Sequence, residues 1–68
     1  MIPYRSKIQM RQWSNEAIMS KISDIIRTHP ELRFCQILTI LELDKDRFYE
    51  ESIDTLNDVT DTITKLNL

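Results

Sequence analysis

The sequence predicts an all-α fold, namely a small three-helix bundle with an irregular or partly helical N-terminal arm. The 68 residues include no glycine, and apolar residues recur at helical spacing in three successive segments. Glycine provides the positive φ of hairpin turns and the close backbone approach of phosphate-binding loops, so its absence argues against both. Since no repeat or linker interrupts the chain, residues 1–68 are expected to form one domain.

The first predicted helix begins near Ser14, a good N-cap residue, and Trp13 and Ile18 have the spacing of a hydrophobic staple. Its apolar stripe consists of Ile18, Ile22, Ile25, Ile26 and His29. Residues 1–12 fit no single period, and Pro3 disfavours an early helix. We therefore expect an N-terminal arm that is either irregular or partly helical, with the helix beginning at about Ser6.

A second helix is predicted from Pro30, because proline ends the preceding helix and suits the first position of the next. Apolar residues occupy nearly all of its faces, namely Leu32, Phe34, Cys35, Ile37, Leu38, Ile40, Leu41 and Leu43. A helix that is apolar all round is buried all round. The stretch from Pro30 to Leu43 is therefore expected to be the centre of the fold or the seam of a dimer.

The third predicted helix follows a charged break at residues 44–47, after which Phe48 and Tyr49 are expected to return to the core. It begins at Ser52 and carries a possible dimer seam with 3-4-3 spacing at Leu56, Val59, Ile63 and Leu66. Four threonines weaken its helix propensity, so a terminal strand from Thr62 is the alternative.

A chain of this size is near the lower limit for independent folding. Its single cysteine, Cys35, excludes an internal disulfide, so we expect a homodimer to complete the fold. The formal net charge is −2, but residues 1–33 carry +3 and residues 34–68 carry −5. This asymmetry predicts either attraction between the two halves or an acidic surface for a basic partner.

The sequence offers no convincing catalytic, metal or cofactor site. We expect Cys35 to pack in the core and His29 to be a structural residue at a helix end. Residues 44–46 resemble the start of a calcium loop, but Tyr49 and Thr55 stand where such a loop needs glycine and glutamate. A catalytic role, a cofactor and a small-molecule substrate are therefore not expected.

The longest dense apolar run, residues 37–41, is far shorter than a membrane span, and the first residues lack the apolar region of a signal peptide. These features predict a soluble, cytoplasmic protein with no membrane partner.

Residues 30–38 and 46–52 carry the pattern P-x-L-R-F-x-Q-x-L followed by D-x-F-Y-x-E. This pattern resembles a group of small phage and bacterial proteins over about residues 18–56. The group often has glycine where this chain has Cys35. The resemblance implies a helical core in which Arg33, Gln36, Phe48 and Tyr49 act together, and a phage-encoded chain in the host cytoplasm. It implies no activity.

Arg33 and Gln36 share one side of a largely apolar predicted helix, where an unpaired charge would be costly. One hypothesis is that Arg33 pairs with Asp46, Glu50 or Glu51 and holds the charged break against the central helix. The alternative is an arginine whose stem lies on the surface and whose head is in water.

The leading functional expectation is a non-catalytic protein-binding module, homodimeric and, if phage-encoded, acting on a host or defence protein. The candidate partner-binding residues are Arg33, Gln36, Glu50, Glu51, Asp54, Asp58 and Asp61.

Two alternatives involve nucleic acid. Eight acidic residues between Glu42 and Asp61 could imitate a nucleic-acid backbone and occupy a DNA-binding protein. A weaker alternative is direct binding through an arm that interleaves basic and aromatic residues, namely Tyr4, Arg5, Lys7, Arg11 and Trp13. Direct binding is disfavoured because the last helix is acidic and phosphates would repel it.

Overall fold

The computed structural model describes the backbone of residues 3–68 and the side chains of residues 6–68. Three helices make up this part of the chain: α1 (Pro3–Thr28), α2 (Phe34–Ile40) and α3 (Ser52–Leu66). The predicted all-α class is confirmed, and no strand occurs within residues 3–68. The alternative of a terminal strand from Thr62 is wrong, because α3 continues to Leu66.

Helix α1 is continuous, so of the two alternatives for the arm the helical one holds for residues 3–12, and the predicted start of the first helix near Ser14 is wrong. Pro3 is the first helical residue, a position where its missing N–H costs nothing. Ser14 lies fully buried inside the helix, and Trp13 is exposed, so no staple forms. Helix extension adds one hydrogen bond per residue once a helix exists, which outweighs a local capping signal. Residues 1 and 2 of the predicted arm and the side chains of Tyr4 and Arg5 lie outside the described residues.

Helix α2 is much shorter than the predicted helix from Pro30. Residues 29–32 form a turn in which the Leu32 N–H donates to the His29 carbonyl at 3.0 Å. The helix then starts after Arg33, whose N–H donates to Gln36 Oε1 at 2.8 Å. A glutamine at the third helical position that accepts from the N-cap N–H is half of a capping box.

The end of α2 is fixed by Glu42, which has a φ of 59°. The Leu43 N–H donates to the Leu38 carbonyl at 2.8 Å, the bond of a Schellman motif. Only Ile37 and Leu41 of this segment are fully buried, whereas Phe34 and Cys35 are exposed. The expectations of a helix buried on all sides and of a buried Cys35 are therefore wrong, since seven residues of helix bury one stripe only.

The core joins all three helices. Its buried apolar residues are Ile22, Ile25, Ile37, Leu41, Leu56 and Val59, with Ile18, Leu32, Leu43, Ile63 and Leu68 packed around them. Arg11 of α1 contacts Glu51 at the start of α3, whereas Ile22 and Ile25 share the core cluster with Val59 and Ile63. Helices α1 and α3 therefore run in the same direction, and α2 packs on the C-terminal half of α1.

Helix α3 begins at Ser52 as predicted, although Glu51 is the N-cap residue. Of the predicted dimer seam, Leu56 and Val59 are buried in the core of the chain itself, Ile63 packs at its edge and Leu66 is exposed. The prediction of a dimer seam through all four residues is therefore wrong, because the 3-4-3 spacing serves the contact of α3 with α1 and α2 of the same chain. None of the helices within residues 3–68 is both long and apolar enough to cross a membrane.

Candidate protein-binding surface

An ion pair ties α1 to the start of α3. Arg11 Nε donates to Glu51 Oε1 at 3.0 Å, and Arg11 Nη2 donates to Glu51 Oε2 at 2.7 Å. This bidentate geometry is typical of an arginine paired with a carboxylate. The hydrogen bonds and charge of Glu51 raise the pKa of Arg11, and those of Arg11 lower the pKa of Glu51. The pair links the basic N-terminal half of the chain to its acidic C-terminal half at one point.

Beside this pair, the loop between α2 and α3 presents two aromatic side chains to solvent. Phe48 is 82% exposed and Tyr49 is 95% exposed, with their ring centroids 4.9 Å apart in a T-shaped arrangement. The prediction that these residues return to the core is wrong. The reason is that Leu41 and Leu43 already pack on the core, and Arg47 is the loop side chain that turns inward.

Arg47 fixes the loop that carries the aromatic pair. Its side chain, 17% exposed, donates from Nε to the Glu42 carbonyl at 2.9 Å and from Nη1 to Glu50 at 2.5 Å and Asp58 at 3.1 Å. Thr55 Oγ1 also donates to Glu50, at 2.6 Å. The Thr55 hydroxyl, followed by Arg47, lowers the pKa of Glu50, and the bonds to Glu50 and Asp58 raise the pKa of Arg47. The loop is thus anchored to the end of α2 and to α3.

The hypothesis that Arg33 pairs with Asp46, Glu50 or Glu51 is wrong. Arg33 is exposed, and no ion pair involves it among the contacts of residues 6–68. Its proposed partners are occupied elsewhere: Glu51 by Arg11, Glu50 by Arg47, and Asp46 by the Phe48 N–H at 3.2 Å. The spacing of Arg47 three residues before Glu50 was the sequence signal for the correct arginine.

The first turns of α1 and the start of α3 enclose a shallow groove of about 440 Å³. Its lining is mostly apolar and consists of Ser6, Lys7, Met10, Arg11, Glu51 and Ile53. Met10 also borders exposed Trp13, and Phe48 and Tyr49 border the Arg11–Glu51 pair. We call Met10, Trp13, Phe48 and Tyr49, together with this ion pair, the aromatic end surface. Tryptophan, tyrosine and arginine are the residues that most often dominate binding energy at protein interfaces.

The other predicted binding residues do not gather at one place. Gln36 caps α2, Asp58 holds Arg47, and Asp54 and Asp61 are exposed on α3. Within the described side chains, no hydrogen bond or ion pair joins Arg33 or Gln36 to the acidic residues predicted with them. The sequence analysis missed Met10 as a binding candidate because a lone methionine carries no local signal of exposure.

Residues with potential for catalysis or metal binding also lie apart. His29 Nδ1 is 3.6 Å from Glu31 Oε2, and Cys35 is exposed on α2. Nowhere in the described part of the chain do three His, Cys, Asp or Glu side chains converge as metal ligands do.

Comparison of the sequence with protein-family models finds no match. Comparisons with curated proteins and with solved structures likewise find no match.

Proposed function

We propose that this chain is a small non-catalytic protein-binding module whose contact surface is the aromatic end surface. The observation that carries the proposal is the exposure of Phe48 and Tyr49 on a loop that Arg47 anchors. Two adjacent aromatic side chains held in water are unfavourable unless a partner covers them.

The physical basis is preorganisation. The aromatic rings contact each other, and the loop beneath them is bonded to Glu42 and Asp58. Binding then loses less conformational entropy, because the hydrogen bonds of Arg47 already hold the loop that carries the rings. The partner expected from this chemistry offers an apolar pocket for the two rings and a polar rim around the Arg11–Glu51 pair.

The pattern that resembles small phage proteins includes Phe48 and Tyr49 as its F-Y, but the core position that it implies for them is wrong, because both rings are exposed. It favours a host or defence protein as the partner. Nucleic-acid mimicry has less support, because three cations of the chain itself pair with four of the eight acids of residues 42–61. Lys45 pairs with Glu42, Arg47 with Glu50 and Asp58, and Arg11 with Glu51. The alternative of direct nucleic-acid binding also loses support, because Arg11, one of the basic residues of the N-terminal arm, is paired with Glu51.

The test is affinity capture from host cells with wild type and with the double variant Phe48→Ala/Tyr49→Ala. We expect wild type to retain a partner in high salt and the double variant to capture at least about tenfold less of it. A loss of this size corresponds to the removal of one to two hot-spot residues. Leu66→Ala, an exposed apolar residue at the far end of α3, is the matched control and should capture normally.

Capture that the double variant leaves intact would contradict the proposal. Capture that high salt abolishes, confined to nucleic-acid-binding proteins, would favour mimicry instead.

A further inference from the structure

The segment that carries the aromatic pair has more negative charge than the cations of the chain neutralise. Residues 42–54 contain six acidic residues but only two cations, so their formal charge is −4. Three of the acids are held in ion pairs within the chain. The other three, Asp44, Asp46 and Asp54, have no ion-pair partner among the described side chains. The two rings therefore lie in a locally negative field, which attracts cations.

One of these unpaired carboxylates, that of Asp46, lies beside the aromatic pair. Asp46 Oδ1 accepts a hydrogen bond from the Phe48 N–H at 3.2 Å, and this nitrogen is two bonds from the Cβ that bears the ring. The side chain is exposed, and its other oxygen, Oδ2, has no hydrogen-bond partner among the described atoms. A carboxylate can accept several donors at once. Asp46 therefore offers a fixed, unused acceptor next to the two rings.

The rings themselves offer open aromatic faces. Phe48 and Tyr49 contact each other edge to face, and Tyr49 is 95% exposed, so the described part of the chain leaves its ring uncovered. The face of an aromatic ring carries partial negative charge and attracts a cation placed over it. An open ring and a carboxylate side by side are therefore complementary to one cationic group that is also flat.

We propose, on the basis of the proposed function, that the aromatic end surface binds a basic segment of its partner protein through an arginine. The planar guanidinium of this arginine would stack on the aromatic pair and donate hydrogen bonds to Asp46. A lysine ammonium is a compact point charge and has no flat face to stack. Because the acceptor is Asp46, the Arg11–Glu51 pair stays intact in the complex. A guanidinium covered by a ring is also screened less by salt than an exposed one.

The charges of α1 determine on which side of the surface the arginine lies. Lys7 and Arg11 line the groove between α1 and the start of α3, and they repel a further cation. The loop side carries the unpaired carboxylate of Asp46 instead. The arginine is therefore expected on the loop side of the rings, and the apolar part of the partner on the side of the groove.

Selection of peptides against the full chain tests the proposal. A random-peptide library is first depleted on the immobilised double variant Phe48→Ala/Tyr49→Ala and is then selected on wild type, so the retained peptides need the two rings. We expect these peptides to be enriched in arginine flanked by apolar residues. Replacement of that arginine by citrulline, an uncharged residue of nearly the same shape, should weaken binding at least about tenfold in fluorescence anisotropy.

Two variants separate the parts of the site. Asp46→Asn keeps an oxygen for the Phe48 N–H but removes the charge, so it should weaken the arginine peptide about tenfold and leave the citrulline peptide unchanged. Tyr49→Leu keeps an apolar side chain without a ring and should weaken the arginine peptide about fivefold. Asp61→Asn, an exposed carboxylate towards the other end of α3, changes the net charge equally and should bind normally. Circular dichroism checks that each variant keeps its helix content.

The proposal would be overturned by a selection that yields no ring-dependent peptide or peptides without arginine, or by equal binding of the arginine and citrulline peptides. Equal weakening by Asp46→Asn and Asp61→Asn would overturn the contact with Asp46, because it would reflect net charge alone. The proposed function is judged separately by capture of the host partner. If Phe48→Ala/Tyr49→Ala loses that partner while Asp46→Asn and Tyr49→Leu retain it, protein binding stands and the arginine contact fails.

Discussion

The two ends of the bundle are held together by different forces. At one end, the C-terminal half of α1 packs on α2 and α3 through Ile22, Ile25, Ile37 and Val59. At the other end, Arg11 and Arg47 bond acidic residues, and large apolar side chains remain in water. Apolar burial at one end therefore provides the stability, whereas ion pairs at the other end fix the position of side chains that contribute little to it.

The most direct test compares Ile37→Ala with Tyr49→Ala. Ile37 is buried in the core, so its truncation should lower the free energy of unfolding by about 3 kcal/mol. Tyr49 is almost wholly exposed, and its truncation should change that free energy by less than about 0.5 kcal/mol. Urea titration followed by circular dichroism measures both. Equal losses in the two variants would show that the ends do not divide their roles.

A second comparison concerns two arginines. The sequence predicted that Arg33 holds the charged break in place, whereas the structure shows Arg47 in that role. Arg47→Ala should cost about 1 kcal/mol, because the Glu42 carbonyl and two carboxylates lose a common donor. Arg33→Ala should change the free energy of unfolding by less than about 0.5 kcal/mol, since the side chain is exposed. Thermal unfolding of both variants decides the matter. A larger loss for Arg33 would restore the original hypothesis.

Ser14 lies between the two ends and is a buried polar residue whose Oγ has no hydrogen-bond partner among the described atoms. Ser14→Ala should raise the free energy of unfolding by about 1 kcal/mol, because it removes an unsatisfied hydroxyl and improves helix propensity. Ser20→Ala, at an exposed position of the same helix, supplies the propensity effect alone. A gain no larger than that of Ser20→Ala would mean that the Ser14 hydroxyl is satisfied in solution.

Acid should first weaken the end of the bundle that is held by the ion pairs of Arg11 and Arg47. The pKa values of Glu50 and Glu51 lie below their ordinary value of 4.5 in the folded chain, owing to Thr55 and Arg47 for Glu50 and to Arg11 for Glu51. The stability that they add is therefore complete above about pH 4.5 and is lost as the pH falls through their lower folded values. Melting temperatures from neutral to acidic pH should fall less steeply in Glu50→Gln/Glu51→Gln than in wild type. Identical profiles would refute the assignment.

Local patterns predicted the elements that packing left undisturbed. The start of α3 at Ser52 and the apolar spacing of Leu56, Val59 and Ile63 follow from the sequence, since the spacing gives the same stripe in any helix. The capping signal at Ser14 failed because α3 packs alongside α1 and favours an unbroken helix there. The Arg11–Glu51 pair joins residues 40 positions apart, and no local pattern contains that contact.

Composition and periodicity act locally, and they were enough to predict the all-α class and the three apolar segments. Which apolar residues stay in water and where the helices end depend instead on how the helices pack. Glu42 and Asn67 take positive φ values without glycine, since Leu43 and Leu68 must turn back onto the core. Burial depends on how much apolar surface one short core can accept, and this is a property of the packed chain, not of any local pattern.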